Sequence, residues 1–245
     1  MADQETYSNR TYRRLTGGSW PATFEITVGE TNLHIAADRD LSRKARDAVV
    51  EARSQILAYA RDFPEFLESF SPIAGNSDAA PVVREMLEAS RLTGVGPMAA
   101  VAGAIAEAVG RALLHESGQV AVENGGDIFL ASERQIKVGI FAGDSSFSGR
   151  LALRLQPGRD GLGVCTSSGT VGPSKSLGSA DAAVVVARSA ALADAAATAF
   201  GNLLKREEDI EPALERVCII EGVKGALAII GERLGAKGSI ELISM

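Results

Sequence analysis

The sequence predicts an α+β fold in which strands follow one another and two apolar helices are buried among them. Short alternating runs bounded by turn residues recur along the chain, and they do not alternate strictly with helices as a parallel βαβ sheet requires. Two segments, 94–114 and 189–202, have helical spacing with apolar residues nearly all round, which marks interior helices. The chain has 245 residues, 46% hydrophobic and 23% charged, ordinary values for a protein with a sizeable core.

Taken in order, residues 24–28 alternate as a strand, Gly29, Glu30 and Thr31 supply a turn, and 33–37 returns as a second strand. Ala45, Val49, Ala52, Ile56 and Tyr59 then recur at helical spacing from Leu41 to about Asp62, with Asp40 and Ser42 as candidate caps. Pro64, Pro72 and the cluster Gly75-Asn76-Ser77-Asp78 read as a loop, and Pro81 opens another helix. The whole chain reads as one domain, with two interleaved lobes meeting near 71–95 as the variant. Gly94, Gly96 and Pro97 lead into the first core helix, which carries Glu107 and Arg111 at i, i+4. Strands at 120–123 and 128–130 flank a tight turn, and further strands are expected at 136–141, 151–155 and 163–166. A Ser/Gly-rich loop over 167–179 precedes a strand at 183–187 and the second core helix. The tail alternates a short helix at 212–216 with strands near 217–220, 226–230 and 240–243.

Composition narrows the function. A net charge of −6 without a Lys/Arg run gives no footprint for nucleic acid or an anionic membrane surface. Two cysteines exclude a disulfide framework or a paired-cysteine zinc site, and two histidines exclude a multi-histidine centre, so any metal is expected to be oxygen-liganded. The opening residues carry no apolar signal core and no bilayer-length apolar run occurs, which predicts a cytoplasmic protein. A small-molecule nucleotide is the expected partner, and homo-oligomer formation is left open.

Three constellations carry chemistry. In the second core helix Asp194, Thr198 and Asn202 stand four residues apart and so share one stripe. An inward carboxylate there is either a metal ligand or a paired structural acid, and Asp194 with Thr198 offers oxygens suited to Mg²⁺ shared with a phosphate and waters. The turn Asn124-Gly125-Gly126-Asp127 is either a plain hairpin or a backbone cradle for a ligand. Thr166, at a strand end, runs into Ser167, Ser168, Gly169 and Thr170, the start of a loop of small hydroxyl residues able to offer hydroxyls and N–H groups to phosphate, or else a surface loop. Cys165 beside them has no histidine nearby in sequence and reads as a small buried hydrophobe.

In order and rough spacing, Asn124-Gly125-Gly126-Asp127, then Thr166-Ser167-Ser168-Gly169, then Asp194 and Thr198 resemble the motifs of the FAD:protein FMN transferase (ApbE-like) superfamily. The chain is most similar to a cytoplasmic branch marked by Gly94-Val95-Gly96-Pro97-Met98, residues 122–128 and residues 166–172. The resemblance implies a T-fold-like, two-lobed sheet-and-helix architecture that binds FAD or FMN, with Mg²⁺ at the pyrophosphate. It implies Asp194 and Thr198 as metal ligands, residues 124–127 as part of the flavin site, and Thr166 to Thr170 facing the phosphates. Transfer or hydrolysis at the pyrophosphate is the implied reaction. The transferases carry a histidine after the Thr-Ser-Gly motif, whereas this chain reads Pro173-Ser174, which makes a non-catalytic flavin or nucleotide binding module the alternative.

Overall fold

A computed structural model describes residues 16–17, 20–168 and 178–245. Gly169 and Thr170 of the hydroxyl loop, and the Pro173-Ser174 position, lie outside the described residues.

In chain order the elements are β1 (Thr16–Gly17), β2 (Ala22–Val28), β3 (Thr31–Ala37), α1 (Ser42–Asp62), α2 (Glu65–Glu68) and α3 (Pro81–Thr93). A 3₁₀ turn (Pro97–Ala100) runs into α4 (Val101–Leu113), followed by β4 (Val120–Asn124), β5 (Asp127–Ser132), β6 (Ile136–Gly139), β7 (Leu151–Leu155), β8 (Gly158–Ser167) and β9 (Ala182–Ala187). The last are α5 (Ala190–Leu203), α6 (Ile210–Cys218), β10 (Val223–Ile230), β11 (Arg233–Gly238) and β12 (Glu241–Ser244). This is the α+β mixture the sequence predicts, with antiparallel sheets throughout.

Eight strands form the main sheet in the order β11-β10-β9-β8-β5-β4-β3-β2, and a second sheet has the order β1-β6-β7-β12. Strand alternation sends Leu33, Ile35, Val122 and Phe129 to one face, where they pack with α1, α3 and α4. On the same face Cys165, Val185 and Ala228 meet α5 and α6. The alternate residues, among them Ala36, Leu130, Val164 and Val184, face the small sheet and bury Ile136, Val138 and Leu153. The main sheet is therefore sandwiched between helices and a smaller sheet. α5 lies in the middle of the helical layer, with Ala190, Ala191 and Ala195 in one core and Leu192, Ala196 and Phe200 in the next. Burial on both flanks accounts for its near-uniform apolar sequence.

Two expectations need correction. Residues 217–220, expected as a strand, are the end of α6 and the turn after it, because Val217 continues the buried face of Ile210, Ala213 and Leu214 at helical spacing. The strand β11 was not foreseen: its residues are mostly exposed, so Arg233 to Gly238 lacks the apolar alternation that marks a half-buried strand. At the start of α1 the cap position is taken by Leu41 rather than Asp40 or Ser42, and the Asp40 carboxylate, one residue earlier, accepts the Ser42 N–H at 2.8 Å. Among the described residues no single helix is long and apolar enough to cross a membrane.

Candidate functional site

The Asn124-Gly125-Gly126-Asp127 turn joins β4 to β5 by two residues, and both glycines have positive φ, 69° and 106°. This backbone strongly favours glycine, and it brings Asn124 and Asp127 side by side at the end of the sheet. The Glu123 carboxylate accepts the Gly126 N–H at 2.8 Å and fixes the turn from the other face. A β-carbon on Gly126 would meet nothing within 4 Å, so space beside the turn is open.

From this corner the Asn124 side chain donates to the Ala102 carbonyl at 3.1 Å, tying the sheet to the first turn of α4. There Gly103 lets α5 approach: a β-carbon would stand 2.1 Å from the Ala190 carbonyl oxygen and 2.9 Å from Asp194 Cβ. The contact is possible only for glycine. It allows the Asp194 carboxylate to accept the Gly103 N–H at 2.9 Å, with the Ala102 N–H also directed at it. Asp194 thus caps α4 from a neighbouring helix, satisfying donors that the helix itself leaves free.

Glu107, predicted as one half of an i, i+4 pair, has a second partner. One oxygen takes the Arg111 guanidinium, and the other accepts the Ala190 N–H at 2.6 Å, the first residue of α5. With the Ser189 hydroxyl accepting from Leu192, it fixes where α5 begins and hence where Asp194 points.

The structure brings together two carboxylates that sequence reasoning assigned to separate motifs. Asp127 lies beside Cys165 and Thr166, whose thiol and N–H donate to it, and it is close enough to Asp194 for each charge to be felt. Burial, then the Asp194 charge, push Asp127 well above the ordinary carboxylate range. Burial raises Asp194 to about 7, against the opposing pull of the Gly103 and Ala102 N–H groups. The Cys165 thiol, buried and flanked by both acids, is pushed up and so remains a neutral packing group, its one hydrogen shared between Asp127 and the Ala190 carbonyl 3.5 Å away. No local sequence signal links Asp127 to Asp194, because their meeting depends on α5 lying against β8 and β5.

One turn beyond Asp194, Thr198 is half-buried, and its hydroxyl forms no hydrogen bond with the described residues. Asn202, the third member of the stripe, lines a separate groove of about 560 Å³ with Thr93, Val95 and Leu203. Thr166 and Ser167 are strand residues, paired with Val184 and Ala183. Their side chains alternate, so Thr166 takes the face of Val184 toward the small sheet, while Ser167 takes the helix side with Ala183. Only the Thr166 N–H joins the acidic corner. Ser168 follows the strand, half-buried.

Among the described residues no group of three or more His, Cys, Asp or Glu side chains is arranged to hold a metal. Mg²⁺ does not need one, since it is commonly bound by one or two carboxylates with substrate phosphates and waters. Asp127 and Asp194, with the Thr198 hydroxyl one helical turn from Asp194, are oxygen donors of the type that ion takes.

A family model described as "AbpE bacteria" matches residues 13–223. Relatives include the UPF0280 protein of Methanothermobacter thermautotrophicus, 41% identical over 236 residues, covering 93% of this chain and 90% of that protein. The UPF0280 protein of Methanococcus aeolicus is 40% identical over 222 residues, covering 88% and 90%. Among solved structures, the flavin transferase ApbE from Vibrio cholerae superposes with a TM-score of 0.55 at 13% identity, covering 91% of this chain and 96% of that one. The apo form of Pseudomonas stutzeri flavinyl transferase ApbE gives 0.50 at 12% identity, covering 89% and 94%.

Proposed function

Since this chain belongs to the bacterial AbpE family, and with it to the ApbE-like superfamily, we propose that it binds a flavin nucleotide, FAD or FMN, or a related phosphate-bearing metabolite, together with Mg²⁺. Asp194 and Thr198 are the metal ligands, with Asp127 as a second anion beside them. Asn124, Gly125 and Gly126 shape the pocket wall, and the strand end from Thr166 through Ser168, continuing to Gly169 and Thr170, faces the phosphates. The observation that carries this reading is the pair of half-buried carboxylates, Asp127 and Asp194, brought together beside the first turn of α4. Two like charges this close and partly shielded from water are unfavourable unless a proton or a cation accompanies them. When bound, Mg²⁺ supplies charge neutralisation at the pyrophosphate, the bond at which transfer or hydrolysis takes place. The residues of this chain orient the carboxylates, exclude water from the helix seam and offer N–H groups to phosphate oxygens.

The reading extends to one ApbE-like domain acting on the cytoplasmic nucleotide pool, a location that cell fractionation tests. Purified protein is expected to retain a yellow chromophore after desalting in the presence of FAD and Mg²⁺, and to lose it with chelator. Asp194→Asn, which still accepts the α4 N–H groups, is expected to weaken Mg²⁺-dependent flavin binding by about 10- to 100-fold. Unchanged binding in that variant overturns the assignment.

A second reading, a flavin or nucleotide binding module without turnover, is favoured by the histidines. His34 is on β3, across from Glu25 and Glu123 on the face away from the helices. His115 is exposed beyond the far end of α4, roughly 18 Å along the helix axis from Gly103. Without a positioned base, group transfer loses about 10²- to 10⁴-fold in rate. Release of FMN and AMP from FAD separates the two readings: its presence supports the enzyme, and tight flavin retention without it supports the module.

A further inference from the structure

We propose that two copies of this chain associate about a twofold axis through the outer face of α1, packed antiparallel. The inner face of α1 is accounted for, since Ala45, Val49, Ala52 and Ile56 are buried in the core. The outer face carries Arg43, Asp47, Val50, Ser54, Leu57 and Arg61, all exposed. At 100° per residue these six fall within an arc of about 80°, one continuous stripe. Val50 and Leu57 keep 50% and 56% of their surface exposed, seven positions apart on the same stripe. Asp47 and Arg61 form no ion pair or side-chain hydrogen bond with any described residue.

The stripe is complementary to itself. With a twofold axis at Ser54 and a rise of about 1.5 Å per residue, Asp47 of one copy comes level with Arg61 of the other, about 10.5 Å from the axis on both sides. Val50, about 6 Å from the axis, then falls beside Leu57 of the other copy at about 4.5 Å. All four side chains find partners of the right kind, twice over, which is the signature of an isologous contact. A surface serving an unrelated partner has no reason to carry opposite charges equidistant from its midpoint. One helix pair is a small interface, so the association is reversible and dependent on concentration.

Sedimentation equilibrium of the full chain from low micromolar to several hundred micromolar tests this. The wild type is expected to dimerise reversibly, and Leu57→Asp to raise the dimer Kd roughly tenfold or more. Asp47→Arg alone and Arg61→Asp alone are each expected to weaken the dimer several-fold, while the double charge exchange restores it. Far-UV circular dichroism verifies that these surface variants stay folded. A wild type monomeric throughout, a Leu57→Asp dimer as tight as wild type, or a double exchange no tighter than the single variants would each overturn the proposal.

Discussion

Asp194 does two things with one carboxylate. It completes the hydrogen bonding of the first turn of α4, and it stands beside Asp127 where a cation would be welcome. These were alternatives when only the spacing of Asp194, Thr198 and Asn202 was considered; the geometry makes them compatible. The raised carboxyl has a consequence for stability. Below the unfolded-state value of about 4 the acid is protonated whether folded or not. Between there and about 7 the folded protein holds a proton on Asp194 that the unfolded chain releases, so Asp194's share of the stability falls as pH rises through this window, and the raised Asp127 adds to the decline. Urea titrations at a series of pH values should show that decline, and Asp194→Asn should make it shallower, leaving the part due to Asp127. An Asp194→Asn profile as steep as wild type would show that other groups set the slope. Added Mg²⁺ and nucleotide should oppose the decline, because a bound cation favours the charged form.

At the scale of elements, the seam between α4 and α5 determines the site. Gly103→Ala would drive a methyl group into the Ala190 carbonyl and Asp194 Cβ, forcing the helices apart. A destabilisation of about 1–3 kcal/mol is expected from thermal or urea melts, with a larger proportional loss of flavin affinity because the carboxylate moves off the α4 N–H groups. Equal affinity in a destabilised variant would separate the seam from the site. Periodicity made both helices of this seam legible in the sequence, along with the β2-β3 hairpin and the strands flanking Asn124 to Asp127. What it could not convey was their contact: Glu107 reads as an ordinary i, i+4 partner of Arg111, and its bond to the Ala190 N–H spans 83 positions of sequence. For the same reason Ser167 reads as a loop residue and Thr166 as a phosphate-facing hydroxyl at a strand end, whereas pairing with β9 keeps both in the strand and turns them to opposite faces of the sheet.

For the whole molecule, the eight-stranded sheet is the shared wall of all three cores, and every helix of the helical layer rests on cores of one face. No core can melt without exposing that wall. Calorimetry is therefore expected to give one cooperative transition, while two resolved transitions would favour lobes that meet near residues 71–95. Fold class was legible because it rests on local patterns; strand order was not, since β5 to β8 and β3 to β4 are joined across long insertions. The small sheet adds a constraint in time. Its edges are β1 and β12, from opposite ends of the described chain, on either side of the β6-β7 hairpin. During synthesis that hairpin has to wait, with one flank bare, until β12 has left the ribosome. The apolar surface beneath it is thus the last to be sheltered, and it is the part of a nascent chain on which a chaperone would have most to do.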